Sequence, residues 1–193
     1  MIAHIQGRLT EKTPTYVVID CNGVGYHLLI SLTTFSQIGD GEQCKLLTHL
    51  AIRDDAHLLY GFKEESERAL FRLLITVSGV GSSTALMILS SLSPNETRQA
   101  ILSNDINALK GVKGIGAKTA QRIVIDLKDK LSKDSLESDF SLGIDNTIKE
   151  EALSALVMLG FNKVQAEKSI SKILKSTPEL TVEEVIKQVL KSI

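Results

Sequence analysis

The chain has 193 residues, 43% of them hydrophobic, and a net charge of −1, which allows one ordinary domain or two to three small ones and argues against global disorder. No apolar run is long enough to span a bilayer, and the opening MIAHIQGRLTEK lacks the layout of a secretory signal. Two cysteines, Cys21 and Cys44, are too few for a zinc or iron–sulfur site, so no metal or cofactor is expected, and the cytoplasm is the expected location.

The first segment, residues 1–62, reads as strands. IQGRL, YVVID, YHLLI, CKLLTHLAI and HLLYGF are short, rich in β-branched and aromatic residues, and divided by turn signals such as CNGVG and IGDGEQ. Five runs in about sixty residues suit a small closed barrel, because closure removes exposed edges. TTFSQI fits one short helix within it.

From residue 63 to 133 the period changes to helical, with apolar residues at Leu70, Leu73, Leu74, Val77, Ala85, Ile88, Leu89 and Leu92. SPNE carries an N-cap serine, a proline at the first helical position and an early glutamate, and so opens a new helix. Within this segment SGVGSSTALMILSSL and KGIGAKTAQRIVIDL align without a gap at an offset of 35. Gly79/Gly114, Gly81/Gly116, Thr84/Thr119, Ala85/Ala120 and Ile88/Ile123 match. Two copies are too few for a solenoid and suggest a duplicated helix–turn–helix unit about a pseudo-two-fold axis.

KLSKDSLESDFSLGIDNT follows, serine- and acid-rich, and residues 134–146 are expected as a flexible linker. Residues 147–193 read as three short amphipathic helices, the last opened by a Thr181–Glu184 capping box. Their core is expected from Leu153, Leu156, Val157, Val185, Ile186 and Val189, with Gly160-Phe161 ending the first helix.

The charge is unevenly spread. Residues 63–134 carry a balance of +3 between two flanks of −2 each, and residues 110–133 hold seven basic side chains against Asp126 and Asp129. Such a patch suits an anionic partner, although a solvated helical face would look the same. The duplicated glycine turn decides what kind of anion. A nucleotide-hydrolysing loop needs lysine directly after its last glycine; here Ala117 intervenes before Lys118, the sister copy has Ser83 instead, and no strand precedes either turn. The dinucleotide fingerprint fails because each copy offers two glycines after a helix. Between helices, glycine–hydrophobic–glycine makes a tight turn, with positive φ open to the glycines and Val80 or Ile115 as a plug. The amides that follow begin a helix, are unpaired, and can receive a phosphate. A lone copy would be only a tight corner; duplication beside basic residues favours DNA backbone, contacted without reference to base.

GVG and GIG, each followed by Thr-Ala and a helix, resemble tandem helix–hairpin–helix motifs. With the five-strand start, IRDDAHLLYGF and the ending ALSALVMLGF, the whole chain is similar, in order, to the RuvA family of Holliday-junction branch-migration subunits. The resemblance implies a multidomain α+β fold: an N-terminal five-stranded OB-fold barrel, a middle all-α domain with tandem helix–hairpin–helix motifs, and a C-terminal three-helix, UBA-like bundle. It implies a homotetramer, or two face to face, on four-way junction DNA, a hexameric ATPase motor, RuvB, recruited by the C-terminal domain, and the RuvC resolvase as a further partner. No catalytic site of its own is expected. By motif position the backbone-binding residues are Gly79, Val80, Gly81, Ser82 and Ser83 in the first hairpin, and Gly114, Ile115, Gly116, Ala117 and Lys118 in the second. Family members often carry lysine at the position of Ser83 or nearby, so the first hairpin is expected to add less to salt-dependent affinity, with Lys118, Arg122, Lys110 and Lys113 carrying more. Asp54 and Asp55, by their residues a solvated turn, fall where the family has an acidic pin at the tetramer centre.

Two other functions fit parts of the sequence. A helix–hairpin–helix DNA-repair enzyme would extrude a base, yet Asp126 has no pocket signature around it. The four histidines, His4, His27, His49 and His57, fall at strand-like positions and read as structural. A scaffold without junction specificity that reads single strands would present stacking aromatics, whereas the eight present are scattered.

Overall fold

The five expected strands form and close on one another. In a computed structural model that describes residues 2–39, 41–139, 144–177 and 180–192, they are β1 (His4–Lys12), β2 (Tyr16–Cys21), β3 (Val24–Ile30), β4 (Gln43–Ile52) and β5 (His57–Phe62), ordered β1-β2-β3-β5-β4 around a closed barrel. β1 pairs antiparallel with β2 on one side and with β4 on the other, with a register shift between Leu9 and Glu11. Closure comes from a parallel β3–β5 pair, Leu28 opposite Leu59, the five-stranded Greek-key arrangement of an OB-fold. Alternate residues point inward, and Val17, Ile19, Leu28, Ile30 and Leu46 fill the barrel. One short helix, α1 (Leu32–Gln37), follows β3, and Ser31 caps it by accepting from the Thr34 amide.

Helices α2 (Glu65–Leu74), α3 (Ser82–Ser91), α4 (Pro94–Leu102), α5 (Ile106–Lys110) and α6 (Ala117–Asp139) follow. The SPNE signal opens α4 as expected. Pro94 sits in its first turn, Ser93 accepts from the Glu96 amide, and Glu96 returns to the Ser93 amide at 2.8 Å. Hydrogen bonding to the carboxylate from the Ser93 side chain, and then from the Ser93 amide, holds the Glu96 carboxyl below the usual carboxylate range.

The chain divides into two compact units, Met1–Ser132 and Lys133–Ile193. In the first unit the barrel and the helices share a core at one place. Tyr60 and Phe62 of β5 lie 5.1 and 4.9 Å, ring to ring, from Phe71 of α2, and all three are fully buried. His49 of β4 meets Phe71 edge-on at 5.3 Å, and burial first, then the Arg72 and Arg68 charges, lowers its pKa. Arg68 reaches the barrel by donating to the Ala3 carbonyl at 2.8 Å. Deep in this junction lies Glu67, wholly buried. Ser31 donates to its Oε1 and Thr34 to its Oε2. α1 also grips α3, through Thr33 to the Leu89 carbonyl at 2.6 Å and the Leu32 amide to Ser90 at 3.1 Å.

No glycine or proline interrupts residues 117–139, so α6 runs through the first part of the segment expected as a flexible linker, and α7 opens inside its last part, at Ile144. Serines and acids favour solvation there without opposing a helix; residues 140–143 lie outside the described ones. In the second unit α7 (Ile144–Met158), α8 (Lys163–Ser176) and α9 (Val182–Ser192) pack around Ala152, Leu156, Ala166, Ile170, Val185 and Val189. Val157, expected in this core, is instead 42% exposed, because Ala152 and Leu156 already define the inward face one turn apart. α7 stops where expected, with the Phe161 and Gly160 amides bonding the Leu156 and Val157 carbonyls at 3.0 Å, a Schellman cap. Thr181 and Glu184 form the expected reciprocal cap of α9.

Burial raises the Glu67 pKa above the ordinary carboxylate range, against the lowering effect of its two hydroxyl partners. A raised acid binds its proton more tightly in the folded state, so its contribution is fully present below the unfolded pKa and is lost as pH rises through the folded one. The Tm difference between the native chain and Glu67→Gln should therefore favour the native chain most at low pH and shrink toward neutral pH. A difference independent of pH would show that Glu67 does not titrate between the two states. Glu67→Ala, which also strands two buried hydroxyls, should cost about 2–4 kcal/mol at low pH and decline with the same pH dependence.

Candidate nucleic-acid interface

The two glycine turns have the same backbone. Between α2 and α3 the Val80 amide donates to the Val77 carbonyl at 3.0 Å; between α5 and α6 the Ile115 amide donates to the Val112 carbonyl at 3.1 Å. Gly79 and Gly114, in the third position of these turns, have φ of +89° and +88°. Val80 and Ile115 are buried, as are Val77 and Val112, so each turn is plugged into the helical core. The hydrophobic residue takes the anchoring place expected of it.

The second glycine departs from expectation. Gly81 has φ −83° and ψ 169°, and Gly116 too lies outside the left-handed region. A side chain on either would meet nothing within 4 Å. No constraint from within the protein therefore requires glycine here. These residues begin α3 and α6: the first intrahelical bonds run from Ala85 to the Gly81 carbonyl at 2.9 Å and from Ala120 to the Gly116 carbonyl at 3.0 Å. The amides of residues 82–84 and 117–119 are thus left without intrahelical partners, and a glycine gives them no capping side chain. The result is two exposed helix N-termini, each with bare amides, a positive dipole end and clear space in front.

Around these amides the hairpins differ. Ser82 is half-buried, and Ser83, Ala117 and Lys118 are exposed. Arg122 and Lys118 engage no carboxylate among the described residues. Arg122, one turn along α6, is brought to the other hairpin: a methyl group on Gly79 would lie 4.0 Å from its Nη1. Sequence spacing could not show this, because the two residues are 43 positions apart and meet only through packing. Lys110 and Lys113 are exposed beside the second turn, while Lys128 is taken up by Asn104 at 3.0 Å.

Asp54 and Asp55 are exposed at the tip of the β4–β5 hairpin, closed by the Arg53 amide on the Ala56 carbonyl at 2.9 Å. All four histidines lie in strands; His27 stacks on Tyr16 at 4.5 Å. Among the described residues no group of three or more His, Cys, Asp or Glu could hold a metal ion, and no helix is long and apolar enough to cross a membrane.

Three family models match in succession: the RuvA N-terminal domain over residues 1–61, a SAM-like helix–hairpin–helix tandem over 71–129, and the RuvA C-terminal domain over 147–193. Among curated relatives, the Holliday junction branch migration complex subunit RuvA of Christiangramia forsetii is 57% identical, covering all of both chains. The protein of the same name from Flavobacterium psychrophilum is 52% identical over all of both. That from Chlorobium limicola is 43% identical over all of this chain and 98% of its own.

The positive φ at Gly114 makes its substitution costly whatever the space. Gly114→Ala should lower stability by about 1–2 kcal/mol, read by chemical denaturation. Gly116→Ser, which supplies a good N-cap in ordinary backbone, should not lower it. Equal losses from both would show that the turn does not depend on the left-handed residue.

Proposed function

The chain belongs to the RuvA family, and from that premise we propose that it binds four-way (Holliday) DNA junctions without regard to sequence and serves their branch migration in recombination and repair. The observation that carries this is the pair of matched helix N-termini with bare amides and clear space in front. Amides and a helix dipole recognise a phosphate diester and are blind to base identity. In this reading Gly79, Val80, Gly81, Ser82 and Ser83 hold one phosphate and Gly114, Ile115, Gly116, Ala117 and Lys118 another. Four copies form a tetramer that offers such pairs to the four arms. The protein supplies no catalytic step; ATP hydrolysis belongs to a RuvB-type motor, and the RuvC resolvase acts on the same junction.

The second unit is the motor's docking module. Its small core leaves Val157, Met158 and Leu159 at the end of α7 and Val164 at the start of α8 exposed, at 42, 86, 61 and 61%. An apolar rim of this kind on a three-helix bundle supports a protein partner.

Asp54 and Asp55 act as an acidic pin. In a tetramer they place eight carboxylates near the crossover, where DNA excludes water and limits screening. They repel converging phosphates and favour an open junction.

Two experiments test this reading. In competition binding, the chain should prefer a four-way junction to duplex and single strand; preference for single strand would overturn it. Gly81→Ser with Gly116→Ser should keep the fold, since a serine N-cap bonds the amides itself, yet lose junction binding by roughly tenfold or more, about one 1.4 kcal/mol step. Undiminished binding would reduce the turns to structural corners. For the pin, Asp54→Asn with Asp55→Asn should raise affinity for plain duplex and change the migration rate with the motor; unchanged duplex binding would count against it.

A further inference from the structure

Resting on the DNA-backbone reading above, we infer that Arg122 serves the phosphate site of the first hairpin although it belongs to the helix of the second. The two helices that open the hairpins correspond at an offset of 35, so Ser83 matches Lys118 and Met87 matches Arg122. All four positions are exposed, and in each helix they lie one turn apart, on the same face. On α3 both are uncharged; on α6 both are cations. By sequence the whole charge of the clamp falls to the second hairpin.

The packing redistributes it. The Arg122 guanidinium extends toward the first turn, with Nη1 4.0 Å from where a methyl group on Gly79 would sit. At Gly114, the equivalent glycine, nothing comes within 4 Å. Lys118 therefore serves the second hairpin from the first turn of α6, while Arg122 supplies the first hairpin with the cation that Ser83 lacks. Each phosphate site then has a cation from α6. Among the described residues no carboxylate neutralises Arg122, so its charge remains available to a ligand. Arginine suits this role because its planar fork can hold two oxygens of one phosphate while the amides of residues 82–84 approach from the helix end. The side chain also ties the spacing of the two bound phosphates to the helical core that both hairpins share. The expected weakness of the first hairpin is thereby removed.

The test is a double-mutant cycle on junction binding, with affinity measured against salt concentration. Arg122→Gln should reduce the slope of log K against log salt by about 1, as for one lost phosphate contact. Adding Ser83→Lys to Arg122→Gln should restore that slope. In the native background the same Ser83→Lys should add much less, because the site is already neutralised. Ser83→Lys and Lys118→Gln should act independently, since they address different phosphates. If Ser83→Lys strengthens binding by the same factor with and without Arg122, the assignment fails while junction binding stands. If the native chain binds no junction, the DNA-backbone reading fails and the assignment with it. Circular dichroism on each variant separates loss of contact from loss of fold.

Discussion

The arrangement of the first unit depends on a buried carboxylate. Glu67 of α2 receives hydrogen bonds from Ser31 and Thr34, the N-cap and third residue of α1. A carboxylate removed from water is costly unless its oxygens are satisfied, and here only α1 in this position satisfies them. The bond set thus fixes α2 against the barrel with an angular precision that the Phe71, Tyr60 and Phe62 contacts, being non-directional, could not impose. α1 then binds α3 through Leu89 and Ser90. Barrel, α2 and α3 become one body, and the first hairpin lies between the two helices so held.

That rigidity matters because backbone amides cannot adapt. A lysine on a flexible stem finds a phosphate over several ångströms, whereas a helix N-terminus must be delivered to it. The two turns are built alike, with buried plugs at Val80 and Ile115 and left-handed residues at Gly79 and Gly114, so their amides are set by core packing. Charge is layered on this frame unequally. The near-neutral chain gathers seven cations against two carboxylates over residues 110–133, and the packing lets one of them, Arg122, cross to the first turn.

The second unit follows another logic. Three helices of this length bury few large side chains, and two of the six core residues are alanines. Small domains leave apolar surface over, and here it gathers where α7 turns into α8. The module has a hydrophobic core of its own.

Much of this was legible in the residues themselves. Strand alternation, the SPNE and Thr181–Glu184 caps, the stop at Gly160-Phe161 and the duplicated glycine turn are local signals, governed by φ, ψ and hydrogen bonds within a few positions. They located all five strands and most helices, and they identified the paired hairpins. At 134–139 polar composition reports solvation, not backbone conformation, which is helical there. At Val157 helical periodicity fixes the inward stripe only to within a residue or so. What tertiary structure alone decided are the relations between distant residues: the parallel closure of β3 on β5, the burial of Glu67 between Ser31 and Thr34, and the reach of Arg122 to Gly79. Each joins groups more than thirty positions apart, or strands not consecutive in the chain. Local propensity is blind to them, because they exist only once the packed core brings the partners together.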